Sequence, residues 1–418
     1  MTLPALSTRP LELVRIATAV VLLCVYGLLG ADYLLLYGPE GWLDVETARA
    51  MDPSPWVQSL LFHVQTDTQA WAFLAVFLLA DLALLVGWRT AWVKWLVLLG
   101  QVSLVHRNPA IQYGVDNILS SLLVLLCLAP VGRDWSLDRV RELRRLKLAQ
   151  GLAAWSPASA SPWATVVTGL VQLQMAVFFF WSGAEKLRGD TWWEGIALWR
   201  ALVNHEFTPA TLSLFAHQFW LVNVLTYATI GLELAFAFLV WGRRTRPWLL
   251  GGAVALHLGI AVFMGLWAFS AAMIAGHLAF VRPEWLDRLV AWWRMRTGDI
   301  EMIYDGNCRF CVRSMAWFLA FDFGRQVSVR DFRRDPSPVV SDEEMELALH
   351  AVVPGRAPLP GFDAYRYTVA RVPGLWWMVP LFYVPLFSRL VGRPLYLWIA
   401  RNRGTIATCA VPGDKGSA

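Results

Sequence analysis

Glu301-Met-Ile-Tyr-Asp-Gly-Asn-Cys-Arg-Phe-Cys311 changes character twice within eleven residues. Glu301–Tyr304 reads as a short strand and Asp305-Gly306-Asn307 as a turn, and Cys308 opens a helix running to about Phe321. Gln326–Arg330 and Leu347–Val353 read as further strands, and Gly361–Val372 as a helix. Strands alternating with helices define a small α/β domain over residues 299–418. Context also decides the chemistry of the two cysteines. A Cys-x-x-Cys pair can be half of a zinc site, but zinc needs two further ligands at suitable spacing. The domain offers only His350 and Cys409, both distant, so no metal is expected. At a helix N-terminus a thiol meets unpaired backbone N–H groups and the positive end of the dipole, which lower its pKa. Cys308 is therefore read as the attacking thiolate and Cys311, one turn later, as the resolving thiol of a redox-active disulfide. Asp305 either orients or deprotonates a thiol or caps the helix. Cys409 is a third redox partner or a bystander near the chain end.

Upstream of Gly298 the chain is of another kind. Of the 418 residues, 57% are hydrophobic and only 16% charged, where soluble domains carry nearer 25%. The 24 tryptophans fit a chain with two membrane–water interfaces. The net charge of +5 lies between apolar runs and not in one aromatic-studded patch, which excludes nucleic acid as a partner and leaves the lipid bilayer. A bilayer crossing takes about 20 apolar helical residues. Eight candidates fall at 14–36, 69–87, 91–106, 115–132, 163–184, 221–241, 247–267 and 269–283, the third and eighth being short. Cys24 and Cys127 lie inside such runs as small hydrophobes. No cleavage site follows the first run, which therefore reads as a membrane helix and not a removed signal.

Lys and Arg number 17 on one set of alternate loops and termini against five on the other. By the positive-inside rule both termini are expected in the cytoplasm. Residues 136–149 and 285–296 read as basic amphipathic helices on a cytoplasmic leaflet, the second equally suited to packing on the domain that follows. The apolar stretch 375–400 is interrupted by Pro380, Pro385 and Pro394 and carries Arg389 and Arg393. It reads as helices of the C-terminal domain, free or docked on the membrane, and not as a ninth span. The fold expected is thus a polytopic α-helical membrane domain of about eight transmembrane helices, residues 1–298, followed by a small thioredoxin-like α/β domain, residues 299–418.

The run Tyr304–Cys311, with its Asp305-x-x-Cys308-x-x-Cys311 spacing, resembles the signature of the DCC family of thiol-disulfide oxidoreductase-like proteins. The likeness continues through Arg313, Asp322 and the closing Tyr396-Leu-Trp-Ile-Ala-Arg401-Asn-Arg403 run, over roughly residues 300–409. It implies thiol–disulfide exchange with a protein or small-molecule thiol substrate.

In the membrane part, Trp181-Ser-Gly-Ala-Glu-Lys-Leu-Arg-Gly-Asp-Thr-Trp-Trp-Glu-Gly195 ends the fifth helix. Ionisable residues at a membrane boundary are functional candidates, and Glu185 and Lys186 are either such a site or a snorkelling lysine beside its neighbour. With Arg9–Leu43, His106–Asp138 and His257–Trp285, this segment resembles the HTTM family, the membrane domain shared with vitamin K-dependent gamma-carboxylases. The resemblance implies a cavity for an isoprenoid quinone, with Lys186 on the position of the base that triggers oxygenation of the hydroquinone. His257 and His277 would line that cavity or hydrogen-bond between helices, with Glu185 near its mouth. Where the carboxylases carry Asn-His this chain reads Asn108-Pro109, and the large lumenal region that binds their protein substrate is absent.

The leading expectation is a bacterial inner-membrane oxidoreductase that couples cytoplasmic thiol exchange at Cys308 and Cys311 to a quinone. The alternatives are a carboxylase-like or oxygenase-like enzyme using Lys186 as base with the thiol domain as reductant, and a non-enzymatic redox-sensing scaffold or transporter.

Overall fold

A computed structural model describes residues 7–158, 160–204 and 218–406, with side chains to 402. Cys409 and the side chain of Arg403 lie outside the described residues. The chain divides into two compact units, Met1–Asp134 with Ala158–Pro283, and Trp135–Pro157 with Glu284–Ala418.

The first unit is helical throughout. Its main helices are α1 (Arg9–Gly27), α2 (Asp67–Val86), α3 (Thr90–Arg107) and α4 (Gly114–Leu128). After α5 (Leu137–Gln150), which belongs to the second unit, come α6 (Pro162–Lys186), α7 (Phe219–Leu239), α8 (Arg246–Met264) and α9 (Trp267–His277). Local signals set the ends. A capping box of Thr66 and Gln69 opens α2, and Gly87, at φ +70°, closes it in the left-handed conformation. Among the described residues, five helices are long and apolar enough to cross a membrane: α1, α2, α6, α7 and α8. All eight expected stretches are helical. However, α4 and α9 have only 15 and 11 residues, and α3 carries Lys94, Gln101 and Arg107. The first helix stops at Gly27, short of the expected residue 36, and Gly30 turns the chain at φ +53°.

Large apolar side chains such as Leu79, Phe238, Trp248 and Val262 stay exposed around this unit, which suits lipid and not water. Inside it, Arg15 and Glu12 form a fully buried ion pair of 2.7 Å. Arg15 also donates to the Leu84 and Leu85 carbonyls, while a Glu12 oxygen accepts the Gly132, Arg133 and Asp134 amides. Arg15 therefore pins α1 to the end of α2, and Glu12 pins it to the loop after α4. Arg107 and Asn108 act similarly, donating to the carbonyls of Leu43, Gly38 and Leu36.

The second unit holds α5, α10 (Pro283–Thr297, from Glu284 onward), and a mixed sheet of β1 (Ile300–Tyr304), β2 (Val327–Asp331), β3 (His350–Val352) and β4 (Leu359–Pro360) in the order β2-β1-β3-β4. β1 runs parallel to β2 and antiparallel to β3. α11 (Arg309–Ala320) connects the parallel pair, and α12 (Asp342–Leu347) and α13 (Gly361–Arg371) complete the thioredoxin-like domain. β1 is apolar on both faces because both are covered. Met302 joins Met315, Ala351 and Val369, and Ile303 joins Phe332, Val340 and Met345.

The amphipathic helix α5, expected on a leaflet, instead buries Val140 and Leu143 against Ala320, Phe321 and Phe323 just after α11. Its apolar stripe is satisfied by protein. Lys147, expected on the polar side, turns inward and donates to the carbonyls of Leu152 and Ala154.

Candidate functional site

The thiol site grows from the β1–α11 turn. Cys308 is the N-cap of α11, in extended conformation, and its Sγ accepts the Cys311 amide at 3.3 Å. The sulfur thus takes one of the donors that every helix N-terminus leaves over. Cys308 is buried and Cys311 half-buried, so the better-supported sulfur is the less accessible one.

Asp305 does not cap α11. One oxygen accepts the Asn307 amide at 3.0 Å, closing the turn, and both oxygens face the Arg333 guanidinium at 3.2 and 3.3 Å. Arg333 also reaches Glu346 at 2.9 Å. Asp331 supports the same turn by accepting the Gly306 and Arg333 amides. Because Arg333 is partly exposed, its pair with Asp305 is worth at most about 1 kcal/mol. Asp305→Asn should accordingly slow thiol exchange no more than about fivefold, read by stopped-flow reaction with an aromatic disulfide. A loss of several orders of magnitude would make Asp305 a direct participant.

Gly306 has a sharper constraint. A Cβ there would lie 2.1 Å from one Asp331 carboxylate oxygen and 2.5 Å from the other, and the second is held by two amides. Gly306→Ala should destabilise the domain by about 1–3 kcal/mol, seen as faster proteolysis between β1 and α11. Unchanged protease resistance would show that the turn yields freely.

Tyr365 on α13 was not singled out from sequence. Its hydroxyl lies 3.8 Å from Met315 Sδ and its ring meets Phe318 edge-on at 5.1 Å, both on α11. Burial first, then the neighbouring Tyr396 and both cysteines, raise the pKa of its phenol, which stays a protonated donor beside the thiols. The signal available was an aromatic polar residue on the helix packed over the Cys-x-x-Cys helix. His350 sits in β3, bonded to the Ala348 carbonyl, with its pKa lowered by burial. Among the described residues no group of three or more His, Cys, Asp or Glu could hold a metal.

In the membrane unit, Lys186 ends α6. Its Nζ bonds Glu233 of α7 at 2.9 Å and Ser182 Oγ at 2.7 Å, over the Trp192 ring. Gly183 permits this approach, since a Cβ there would meet the Leu234 side chain at 2.9 Å. Glu185 points elsewhere and pairs with Arg188, because adjacent residues on a helix do not face one another. Glu233 was missed, although an acid inside the apolar run 221–241 is itself a signal.

His257 and His277 are brought together, with ring centroids 5.6 Å apart. Phe179 of α6 meets both rings edge-on, and Phe236 of α7 meets His277 edge-on. Phe179 lies seven residues before Lys186, about 10 Å along the helix. Both ring nitrogens of His257, His277 Nε2 and Glu233 Oε2 are buried without a hydrogen-bond partner among the described residues. Such orphaned groups can hold the polar head of a lipid-soluble cofactor.

Fold and site together define a multi-pass membrane protein with a thioredoxin-like thiol domain. Family models locate the two parts: an HTTM domain over residues 16–285 and a DCC1-like thiol-disulfide oxidoreductase over residues 302–408. The HTTM match covers more than half of the chain, and the protein belongs to that family, with a membrane redox function supported by its second domain. No curated protein and no solved structure matched the chain.

Proposed function

We propose that the protein is a bacterial inner-membrane thiol–disulfide oxidoreductase, with both termini cytoplasmic, that couples exchange at Cys308 and Cys311 to a quinone-type cofactor in the membrane domain. The observation that carries this reading is the Cys308 sulfur at the helix N-cap, receiving the Cys311 amide. The same donor that caps the helix stabilises negative charge on sulfur.

With the pair oxidised, a substrate thiolate attacks Cys308 Sγ and Cys311 leaves as thiolate, its charge eased by the helix terminus. A second substrate thiolate then attacks the mixed disulfide at the substrate sulfur and releases Cys308 thiolate. The substrate has lost two electrons, and the pair has gained them. A quinone, when bound, supplies a two-electron, two-proton acceptor. The residues proposed to hold it are His257 and His277, with the Lys186–Glu233 pair bracing α6 against α7 and so placing the aromatic rings around them; Glu185 lies outside this set.

The test is to purify the protein with its native lipids, identify extracted quinones by mass spectrometry, and follow the Cys308/Cys311 redox state with a mass tag as menaquinone or ubiquinone is added. Oxidation of the pair by quinone, slowed in His257→Leu/His277→Leu, is expected. A pair indifferent to every quinone would remove the coupling and leave a thiol domain acting alone.

A further inference from the structure

The segment after α13 is the least soluble-looking part of the second unit. Pro373–Tyr383 and Pro385–Asn402 are two apolar helical arms meeting at 74°. Leu386, Leu390 and Trp398 are 71%, 67% and 57% exposed, and Trp377 on the first arm is 59% exposed. A soluble domain does not usually leave so many large apolar groups contiguous in water.

Charge says what covers them. Residues 364–402 contain no Asp or Glu, while Arg389, Arg393 and Arg401 lie on the second arm. Arg393 reaches back to Asp363 at 2.9 Å, and Arg389 and Arg401 are exposed. A symmetric partner copy would bring like charges together, whereas anionic headgroups would compensate them.

The bend says how deep the arms go. The first arm, at 11 residues of which the first six are 3₁₀ helix, is at most about 20 Å long, too short to cross a bilayer. A broken backbone facing hydrocarbon leaves polar groups unsatisfied, but at the headgroup boundary water and lipid oxygens satisfy them. We propose that this bent pair is a shallow wedge that seats the thiol domain in an anionic lipid leaflet.

The wedge is joined to the redox helix. Phe382 stacks on Phe362 at 5.1 Å, and Tyr396 packs against Tyr365, which in turn meets Phe318 of α11. Seating the arms therefore holds the Cys308 helix near the membrane surface, whatever accepts the electrons.

The test uses the full chain in nanodiscs, with the five native cysteines replaced and single nitroxide labels at Leu390→Cys and, as a control, Val339→Cys. With phosphatidylglycerol present, the ratio of oxygen to nickel-chelate accessibility should be several-fold higher at 390 than at 339. Arg389→Glu/Arg401→Glu should erase the difference between phosphatidylglycerol and phosphatidylcholine discs. Equal ratios at 390 and 339 in both lipids would overturn the proposal. So would spin–spin broadening at 390 in discs holding two copies, which would mark an interface between copies.

Discussion

Cys308→Ser is expected to lower thiol–disulfide exchange by about three orders of magnitude or more, as loss of a covalent nucleophile does. The fold should not suffer, because a serine oxygen at this position accepts the Cys311 amide at least as well as sulfur and is a favoured N-cap. An unchanged melting temperature beside a lost reaction therefore isolates the chemistry. Cys311→Ser should behave differently. Assayed in the reverse direction, with a disulfide substrate, Cys308 remains able to attack, but no Cys311 thiol resolves the product, so a mixed disulfide with the substrate accumulates and survives on a non-reducing gel. The burial of the two thiols makes this contrast informative. Cys311 is the more accessible sulfur. If Cys308→Ser forms the trapped species and Cys311→Ser is dead, the order of attack is inverted and accessibility outweighs the helix terminus.

The thiol site was readable because its logic is local. A strand, a tight turn and a helix N-cap lie within Glu301–Cys311, and each is set by neighbours in sequence. The sheet strands at 300–304 and 327–331 and the helices at 309–320 and 361–371 fell close to expectation for the same reason. What sequence left out comes from across the fold. Nothing in the spacing of Asp305 points to Arg333, 28 residues away. Tyr365 meets Met315 and Phe318 of the cysteine-bearing helix only because α13 packs near α11. The basic helix at 137–150 has the composition of a membrane-surface helix, and only tertiary packing assigns its apolar stripe to Phe321 and Phe323. In the membrane unit, hydropathy located eight helices but overstated the length of several. Gln101 and Arg107 are buried inside the protein, and Lys94, half-buried, donates to the Ala129 carbonyl. Glu185 drew attention by adjacency to Lys186, whereas the acid that bonds Lys186 stands 47 residues away.

Lys186→Met is expected to destabilise the membrane unit by about 3 kcal/mol, because it leaves the Glu233 carboxylate buried with only Ser182 as partner. For a unit of this size that is a fall in melting temperature of roughly 6–12 °C, measured in lipid nanodiscs. Lys186→Met/Glu233→Leu removes both charges and should recover most of the loss, since an uncharged apolar pair has no desolvation cost to offset. The double variant then separates two roles that the single one confounds. As a base, Lys186 would first have to hand its proton to Glu233, and chemistry would be absent from the double variant however stable it is. As a strut between α6 and α7, Lys186 matters only for placing Phe179 and Phe236 around the two histidines, and quinone-dependent oxidation of the thiols should return with stability. The proposed function requires the second outcome. Restored stability without restored turnover would move the chemistry to Lys186 and leave the thiol pair as its source of electrons. A single variant that melts within about 1 °C of the wild type would instead show that water already reaches the pair and screens it.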